Sequence, residues 1–348
     1  MQLKSIDEKT YIIENLLEFG SEQEYFHLDF RVTTKCNYNC YYCTDMHNNS
    51  NKFTIFNMDN VDDIILNISE NVKKPIHVFL YGGEPSIHPD ISNILLRIGE
   101  SLIKHNFCFE KKPILEIQTN LSLDIEKYKS ICGKMEEYSG VFKVSASFHN
   151  TIAKFPEFIK KCKSISDLGF LGMVTFMYNS KNTSIPKMFN VSKEILGKDH
   201  VEISPLISSS VKEKVTEGEN SPFFEIDYIF KNEDIQKMSE NSYVFKNAIN
   251  VELSDGSSHK VSRAFMWHNR CNSFLGMTCN VSKERCIIDH DGKVYKCFNN
   301  MFDFEKNHVL DIVSDNFSSL EYFKSLENTV CDYKKCFFEL EHKKFVKC

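Results

Sequence analysis

The sequence lacks the features that would assign it to several common protein classes. No apolar run approaches the roughly 20 residues that a membrane-spanning helix needs. The first 20 residues mix charged and apolar side chains, unlike a secretory signal. Basic residues are not in excess, because 42 Lys and Arg stand against 48 Asp and Glu, which argues against a nucleic-acid-coating surface. We therefore expect a cytoplasmic protein without a membrane or nucleic-acid partner.

Cysteine, in contrast, is abundant. The chain has 13 cysteines, although thiols are kept reduced in the cytoplasm and disulfides are rare there. An odd, high count in such a compartment indicates metal ligands or catalytic thiols before disulfides. A zinc hydrolase is disfavoured, because the sequence has no His-Glu-x-x-His motif.

From residue 27 to 207, short β-branched or apolar runs alternate with amphipathic stretches. We predict strands at Leu28–Thr34, Ile76–Tyr81, Ile114–Thr119, Phe142–Phe148, Leu171–Met177 and Val201–Leu206. Helices are predicted at Val61–Val72, Ile91–His105, Asp124–Met135, Phe155–Leu168 and Ile185–Leu196, with Asn60, Asp90, Ser122 and Ser184 as capping residues. This alternation favours parallel strands with right-handed crossovers. The predicted fold is α/β, a partial (β/α)6 TIM-like barrel whose working face lies at the carboxyl ends of the strands.

The alternation stops after Leu206. We interpret residues 1–26 as an N-terminal extension, 27–207 as the barrel, 208–270 as a linker and hairpin region, and 271–348 as a small cysteine-rich α+β domain. The hairpin is predicted at Val244–Val261, with its turn at Asp255-Gly256.

A first group of cysteines follows the first predicted strand. Cys36, Cys40 and Cys43 have C-x3-C-x2-C spacing, which brings three thiolates onto one loop at the barrel mouth. A [4Fe–4S] cluster usually takes four cysteines, so three leave one iron open to a chelating molecule. Zinc is the alternative, completed by His47 or by cysteines of the tail.

The second predicted strand ends in Tyr81-Gly82-Gly83-Glu84-Pro85 at the same face. Two glycines let a ligand approach the backbone closely, and Glu84 can accept hydrogen bonds from an ammonium group.

Together, these two motifs resemble the radical S-adenosylmethionine (SAM) superfamily, in particular members with a C-terminal SPASM or twitch-type extension, over roughly Leu28 to Cys336. The resemblance implies an enzyme in which Cys36, Cys40 and Cys43 hold a [4Fe–4S] cluster whose open iron binds SAM. Reductive cleavage of SAM would release a 5′-deoxyadenosyl radical that takes a hydrogen atom from the substrate. The implied electron donor is a flavodoxin or ferredoxin. The resemblance also implies that SAM contacts Tyr42, Gly82, Gly83, Glu84, Thr119, Asn120, Ser145, Ser147 and Asn179. Substrate would enter past Arg31, Lys35, Glu116, Gln118, His149 and Met177, with His149 as a possible substrate contact.

The tail carries a second cysteine pattern. Cys279 and Cys297 flank a predicted hairpin at residues 287–295 in a C-x12-G-x4-C arrangement, and Cys331-x4-Cys336 follows. This pattern resembles a twitch-type domain, which implies that these four cysteines hold one auxiliary [4Fe–4S] cluster. The C-x4-C pair departs from the fuller SPASM string, so Cys271, Cys286 or Cys348 could replace one ligand, and zinc is again the alternative.

Two reaction outcomes compete. A fully ligated auxiliary cluster can accept an electron and favours oxidation, whereas a spare thiol, Cys271 or Cys286, could return a hydrogen atom and favours epimerisation. The alternative for either thiol is a buried residue or spare ligand. The short N-terminal extension favours a carbohydrate, nucleotide-linked or other small substrate, with a ribosomal peptide as the alternative. A non-enzymatic metal or iron–sulfur carrier is the competing class, but it has no use for Gly82-Gly83-Glu84.

Overall fold

Six parallel strands form the centre of the molecule. The structure is a computed structural model that describes residues 2–7, 10–20, 22–40, 43, 53, 58–178, 184–205, 249–261, 274–298, 301, 308–311, 319–331 and 344–347. The six strands are β4 (Phe26–Thr33), β5 (Ile76–Gly82), β6 (Ile114–Thr119), β7 (Phe142–Phe148), β8 (Leu171–Tyr178) and β9 (Val201–Pro205). Each pairs in parallel with the next in chain order. This arrangement confirms the predicted α/β partial barrel.

Five helices connect these strands: α1 (Met58–Asn67), α2 (Ile91–Asn106), α3 (Ile125–Lys134), α4 (Phe155–Asp167) and α5 (Ile185–Leu196). Of the four predicted capping residues, Asp90 and Ser184 stand at the N-cap positions of α2 and α5, whereas Asn60 and Ser122 do not cap α1 and α3. Asp124, not Ser122, caps α3 by accepting a hydrogen bond from the Glu126 backbone N–H at 2.8 Å. Asn60 lies inside α1, and the side chain of Asp90 makes no capping hydrogen bond. α5 likewise lacks a side-chain cap and begins with a proline in its first turn, a position where the missing N–H costs little.

Strand β4 shows how the sheet sorts its side chains. All eight of its residues are buried. Phe26, Leu28, Phe30 and Val32 belong to the apolar core shared with the helices. The alternate residues are polar or charged and, because successive side chains point to opposite faces, they line the barrel interior: His27, Asp29, Arg31 and Thr33.

The tail of the chain extends this sheet. Strand β13 (Arg285–Ile288) pairs in parallel with β4, and β14 (Lys293–Tyr295) and β15 (Leu310–Asp311) continue the sheet to nine strands. The predicted hairpin at 287–295 is therefore present, and it lies beside the first barrel strand.

A second sheet joins both ends of the chain. Its order is β11 (Ser258–Val261), β10 (Ile249–Leu253), β3 (Leu16–Gly20), β17 (Lys344–Val346), β12 (Thr278–Cys279) and β16 (Thr329–Val330). The chain begins with a separate hairpin of β1 (Leu3–Asp7) and β2 (Thr10–Ile13). The predicted turn at Asp255-Gly256 is confirmed between β10 and β11, while residues 244–248 lie outside the described residues.

Two short helices complete the tail, α6 (Val281–Glu284) and α7 (Ser319–Lys324). Among the described residues, no helix has the length and apolar character needed to cross a membrane. The predicted domain boundaries stay a prediction, although β3 shows that the N-terminal residues pair with strands of the tail.

Candidate active site

The first cysteine loop begins directly after β4. The Cys40 side chain is buried, whereas Cys36 and Cys43 are half-buried. The Cys43 backbone N–H donates to the Cys40 carbonyl at 3.0 Å, and the Tyr38 backbone N–H donates to Cys36 Sγ at 3.4 Å. No disulfide joins any two of the ten cysteines within the described residues.

The glycines at the end of β5 allow the cysteine loop to pack against that strand. A Cβ atom on Gly82 would lie 2.2 Å from the Thr33 carbonyl oxygen, and one on Gly83 would lie 2.1 Å from that of Lys35. The backbone N–H groups of Gly83 and Glu84 donate to the same two oxygens, each at 2.8 Å. The cysteine loop itself therefore makes the close approach that requires glycine at positions 82 and 83. Contact of Gly82, Gly83 and Glu84 with SAM stays a prediction.

The Glu84 carboxylate ties the ends of two strands together. Its Oε1 accepts from the Ser86 N–H at 3.1 Å, the Ser86 hydroxyl at 2.5 Å and the Thr119 hydroxyl at 2.6 Å, and its Oε2 accepts from the Asn120 N–H at 2.6 Å. Burial raises the pKa of Glu84, although these hydrogen bonds act in the opposite direction. The carboxylate thus fixes the positions of Thr119 and Asn120, both predicted SAM contacts.

Tyr128 and Asn37 extend this network. The Tyr128 hydroxyl lies 3.2 Å from the hydroxyls of both Ser86 and Thr119, and burial raises its pKa to about 12. Asn120 Nδ2 donates to Asn37 Oδ1 at 3.1 Å and lies 4.0 Å from Cys36 Sγ. One continuous polar network therefore runs from α3 to the cysteine loop.

The two predicted serines of β7 have different surroundings. Ser145 is buried, and its Oγ accepts a hydrogen bond from the Met173 backbone N–H at 2.7 Å. Ser147 is half-buried and accepts from Gln118 Nε2 at 2.6 Å. Ser145 thus contacts β8, and of the two only Ser147 is partly exposed towards the barrel interior.

His149 lies immediately after β7 and contacts the cysteine loop. Its Nδ1 is 3.6 Å from Cys40 Sγ, and its ring meets the Tyr38 ring edge-on with 6.1 Å between centroids. Burial lowers the pKa of His149 to about 4. The predicted substrate contact stays a prediction, and the structure adds the cysteine loop as its neighbour.

The turn after β13 brings an unpredicted pair to the mouth. Arg31 Nη1 and Asp289 Oδ1 are 3.1 Å apart, and His290 Nδ1 lies 2.8 Å from the same oxygen. Burial acts to raise the pKa of Asp289, but His290 and the charge of Arg31 hold it below its usual value. Arg31 and Asp289 are 258 positions apart in the sequence, and the parallel pairing of β13 with β4 brings them together. The sequence holds no local signal for this contact.

Below the mouth, the barrel interior has two kinds of wall. On β5, the rings of Phe79 and Tyr81 are stacked with 6.1 Å between centroids, and Phe298 meets Tyr81 edge-on at 5.6 Å. Polar pairs lie at the start of β5 and on β6 to β9: His77–Glu116 at 2.8 Å, Gln118–Ser147 at 2.6 Å and Thr175–Glu202 at 2.8 Å. One wall is thus aromatic and the other offers hydrogen-bonding groups.

The structure does not bring Cys286 to this interior. On β13, Arg285 and Ile287 alternate with Cys286 and Ile288, and the latter two belong to the apolar core shared with the helices. Cys286 is fully buried, and burial raises the pKa of its thiol. This placement supports the alternative of a buried thiol over a hydrogen-atom donor. Cys271, Tyr42 and Asn179 lie outside the described residues.

Three of the four predicted auxiliary ligands belong to one apolar cluster or pack against it. Cys279 and Cys297 are buried in one apolar cluster, against which Cys331 packs. The Cys331 backbone N–H donates to the Met277 carbonyl at 2.8 Å. Backbone hydrogen bonds across the sheet thus hold Cys331 beside β12. Cys336 and Cys348 lie outside the described residues, so the fourth ligand stays a prediction.

The chain can now be compared with known proteins. Residues 30–179 match the family model of the radical SAM superfamily. No curated protein matches the chain significantly. A solved structure of anSMEcpe with bound AdoMet and Cp18Cys peptide is 15% identical, covers 86% of this chain and 79% of that chain, and has a TM-score of 0.54. SuiB from Streptococcus suis is 14% identical, covers 86% of this chain and 65% of that chain, and has a TM-score of 0.53. At these identities, the likeness shows a shared fold.

The parallel strands, the cysteine loop at their carboxyl ends and the glycines that pack against it form the candidate site of a partial barrel. The segment that holds this site, residues 30–179, matches the radical SAM superfamily. Enzymes of that superfamily use SAM and a [4Fe–4S] cluster.

Proposed function

We propose that this radical SAM enzyme oxidises a C–H bond of a small polar substrate held in the barrel interior. The observation that supports the choice of oxidation is the placement of Cys279 and Cys297 in one apolar cluster, against which Cys331 packs, combined with the placement of Cys286 in the barrel core. The first suits an electron-accepting metal centre, and the second counts against one of the two thiols considered for epimerisation.

The cysteine loop fits the cluster that SAM binds. Cys36, Cys40 and Cys43 offer three soft sulfur ligands from one short segment, the ligand type that iron–sulfur clusters take. When bound, the cluster and SAM supply a 5′-deoxyadenosyl radical that abstracts a hydrogen atom. The protein's own contribution is to fix the loop against Gly82 and Gly83 and to hold Thr119 and Asn120 in place through Glu84.

The auxiliary site fits a second cluster in the same way. Cys279, Cys297 and Cys331 offer sulfur in apolar surroundings, and Cys336 would complete the ligand set. Such a centre would supply an electron acceptor for oxidation. We propose that the reaction takes place in the cytoplasm with a flavodoxin or ferredoxin as reductant, because that compartment keeps thiols reduced.

The two walls of the interior support a ring-shaped, hydroxyl-bearing substrate such as a carbohydrate or a nucleotide-linked sugar. The stacked rings of Phe79 and Tyr81 offer an apolar surface, and Gln118, Ser147 and Thr175 offer hydrogen bonds on the facing strands. Ligand sites commonly combine such apolar contact area with a few orienting polar groups.

A peptide substrate is the second candidate. It is favoured by the fold likeness to anSMEcpe, solved with Cp18Cys peptide, and to SuiB, solved with its precursor peptide SuiA.

A substrate panel tests the proposal. The anaerobically reconstituted enzyme would be given SAM, dithionite and either sugars, nucleotide-linked sugars or peptides, with mass spectrometry of the products. We expect a sugar-type product lighter by two hydrogen atoms, formed with 5′-deoxyadenosine. Incorporation of one solvent deuterium without that mass loss would show epimerisation and contradict the proposal, and turnover of peptides alone would replace the substrate class.

A further inference from the structure

His149 has a contact that substrate binding does not explain. It is 109 positions from Cys40 in the sequence, yet its Nδ1 lies 3.6 Å from Cys40 Sγ. Its carbonyl accepts the backbone N–H groups of Ile152 and Ala153, at 3.0 and 2.8 Å, which fix the turn after β7. The edge-on contact with Tyr38, at an interplanar angle of 88°, restrains the imidazole on its other side.

We infer that His149 donates a hydrogen bond from Nδ1 to the Cys40 sulfur in the cluster-bound enzyme and thereby raises the reduction potential of the SAM-binding cluster. The inference rests on the proposed function in one respect, namely that Cys40 holds iron. It makes His149 a positioning residue that acts through a ligand, in addition to any contact with substrate.

The chemistry fixes the direction of the bond. A cysteine sulfur that binds iron has lost its proton and can only accept a hydrogen bond, so Nδ1 must carry the hydrogen. Hydrogen bonds to cluster sulfurs are among the factors that set reduction potentials, and ligand-orienting contacts of this kind commonly tune metal sites. Donation to sulfur stabilises the reduced cluster more, because reduction adds negative charge to it. Loss of the donor must therefore make the cluster harder to reduce.

Cys36 provides an internal comparison. Its sulfur accepts a backbone N–H, that of Tyr38, at 3.4 Å, which no side-chain substitution removes. The contact with Cys40 Sγ comes from the His149 side chain, so a substitution of His149 removes this contact alone. His200 is a matched control histidine, because its Nδ1 lies 2.9 Å from the Gly172 carbonyl, next to β9 and away from the cysteine loop.

The test is a redox titration of the reconstituted full-length enzyme without SAM or substrate, followed by electron paramagnetic resonance. We expect His149→Leu to keep its iron. At the wild-type midpoint, its ratio of reduced to oxidised cluster should be tenfold lower, which corresponds to a reduction potential lower by about 59 mV for a one-electron couple. His149→Asn should restore most of the potential, because its amide nitrogen can occupy the position of Nδ1. His200→Leu should match wild type.

A second measurement is spectroscopic. Wild-type protein labelled with 15N-histidine should show a weak 15N coupling to the reduced cluster in pulsed electron paramagnetic resonance, and His149→Asn should lose it. An absent coupling, or an unchanged potential in His149→Leu, would overturn the inference, and so would a strong coupling, which would make His149 an iron ligand. Absence of any iron–sulfur signal from wild type would instead contradict the proposed function itself.

Discussion

The chain builds its two groups of proposed sulfur ligands differently: one is the loop of Cys36, Cys40 and Cys43, and the other is the group of Cys279, Cys297 and Cys331. The first lies within eight residues and is attached to the ends of two long parallel strands. The second draws on segments separated by the β13–β14 hairpin and by α7, and two of its strands are only two residues long. The barrel can therefore position the first group through local contacts, whereas the second requires the whole tail to fold.

The largest effect should come from removing a ligand of the barrel loop. Cys40→Ala should reduce the iron content by about four atoms per chain, one cube, and lower SAM cleavage to background, while the auxiliary cluster remains. The measurement is iron and sulfide analysis after anaerobic reconstitution. Cys108→Ala, at an exposed thiol, is the control, and equal iron in the two variants would contradict the ligand assignment.

Removing a ligand of the tail should give the reciprocal result. Cys297→Ala should also lose about four irons, yet SAM binding by calorimetry should persist, because the barrel loop does not depend on the tail cysteines. Cys286→Ala serves as the matched control: it leaves a small cavity in the barrel core and should retain its iron. If Cys286→Ala lost iron and Cys297→Ala did not, the two cysteines would have to exchange roles.

A smaller effect should follow from crowding the contact between β5 and the cysteine loop. A Cβ on Gly83 would overlap the Lys35 carbonyl, and because backbone cannot move aside easily we expect Gly83→Ala to cost about 3 kcal/mol in the free energy of unfolding. Gly133→Ala is the comparison, since nothing lies within 4 Å of its added Cβ in α3. It should raise stability by about 0.5 kcal/mol. Urea denaturation measures both, and similar midpoints would show that the loop does not pack as described.

The smallest effect concerns the polar network behind Glu84. Tyr128→Phe removes a hydroxyl that lies 3.2 Å from those of Ser86 and Thr119. Because Glu84 keeps its four direct donors, we expect a loss of about 1 kcal/mol in unfolding free energy and little change in SAM affinity. A large fall in affinity, with stability unchanged, would place Tyr128 in direct contact with the cofactor site.

The contrast between the locally built cysteine loop and the tail group, which is built from distant segments, explains what the sequence could predict. The barrel strands follow from alternation and from regular spacing, and the cysteine loop and glycine motif are local patterns that the structure brings to one face. The N-terminal strand β3 in the tail's sheet and the Arg31–Asp289 contact depend on pairings between distant segments, for which the sequence has no local pattern. Alternation along β13 accounts for the face that Cys286 occupies, because it points to the side opposite Arg285 and Ile287, although all four residues of the strand are buried.

The capping side chains were the weakest local prediction, although three helices begin at the predicted residues Ile91, Phe155 and Ile185. Asp124 caps α3 with its carboxylate, two residues from the predicted Ser122, because either side chain can accept a backbone N–H and only the helix start decides between them. At α2 the side chain of Asp90 makes no capping bond but accepts one from Asn93 Nδ2 at 2.5 Å.

The measurement that tests the account most directly is anaerobic SAM cleavage. Reconstituted wild-type protein, with its iron content verified, would be mixed with SAM and dithionite, and 5′-deoxyadenosine would be quantified by mass spectrometry beside Cys40→Ala. We predict 5′-deoxyadenosine from wild type and none above background from Cys40→Ala. Equal amounts from both, or zinc in place of iron in the reconstituted wild type, would contradict the assignment of Cys36, Cys40 and Cys43 as the site of radical SAM chemistry.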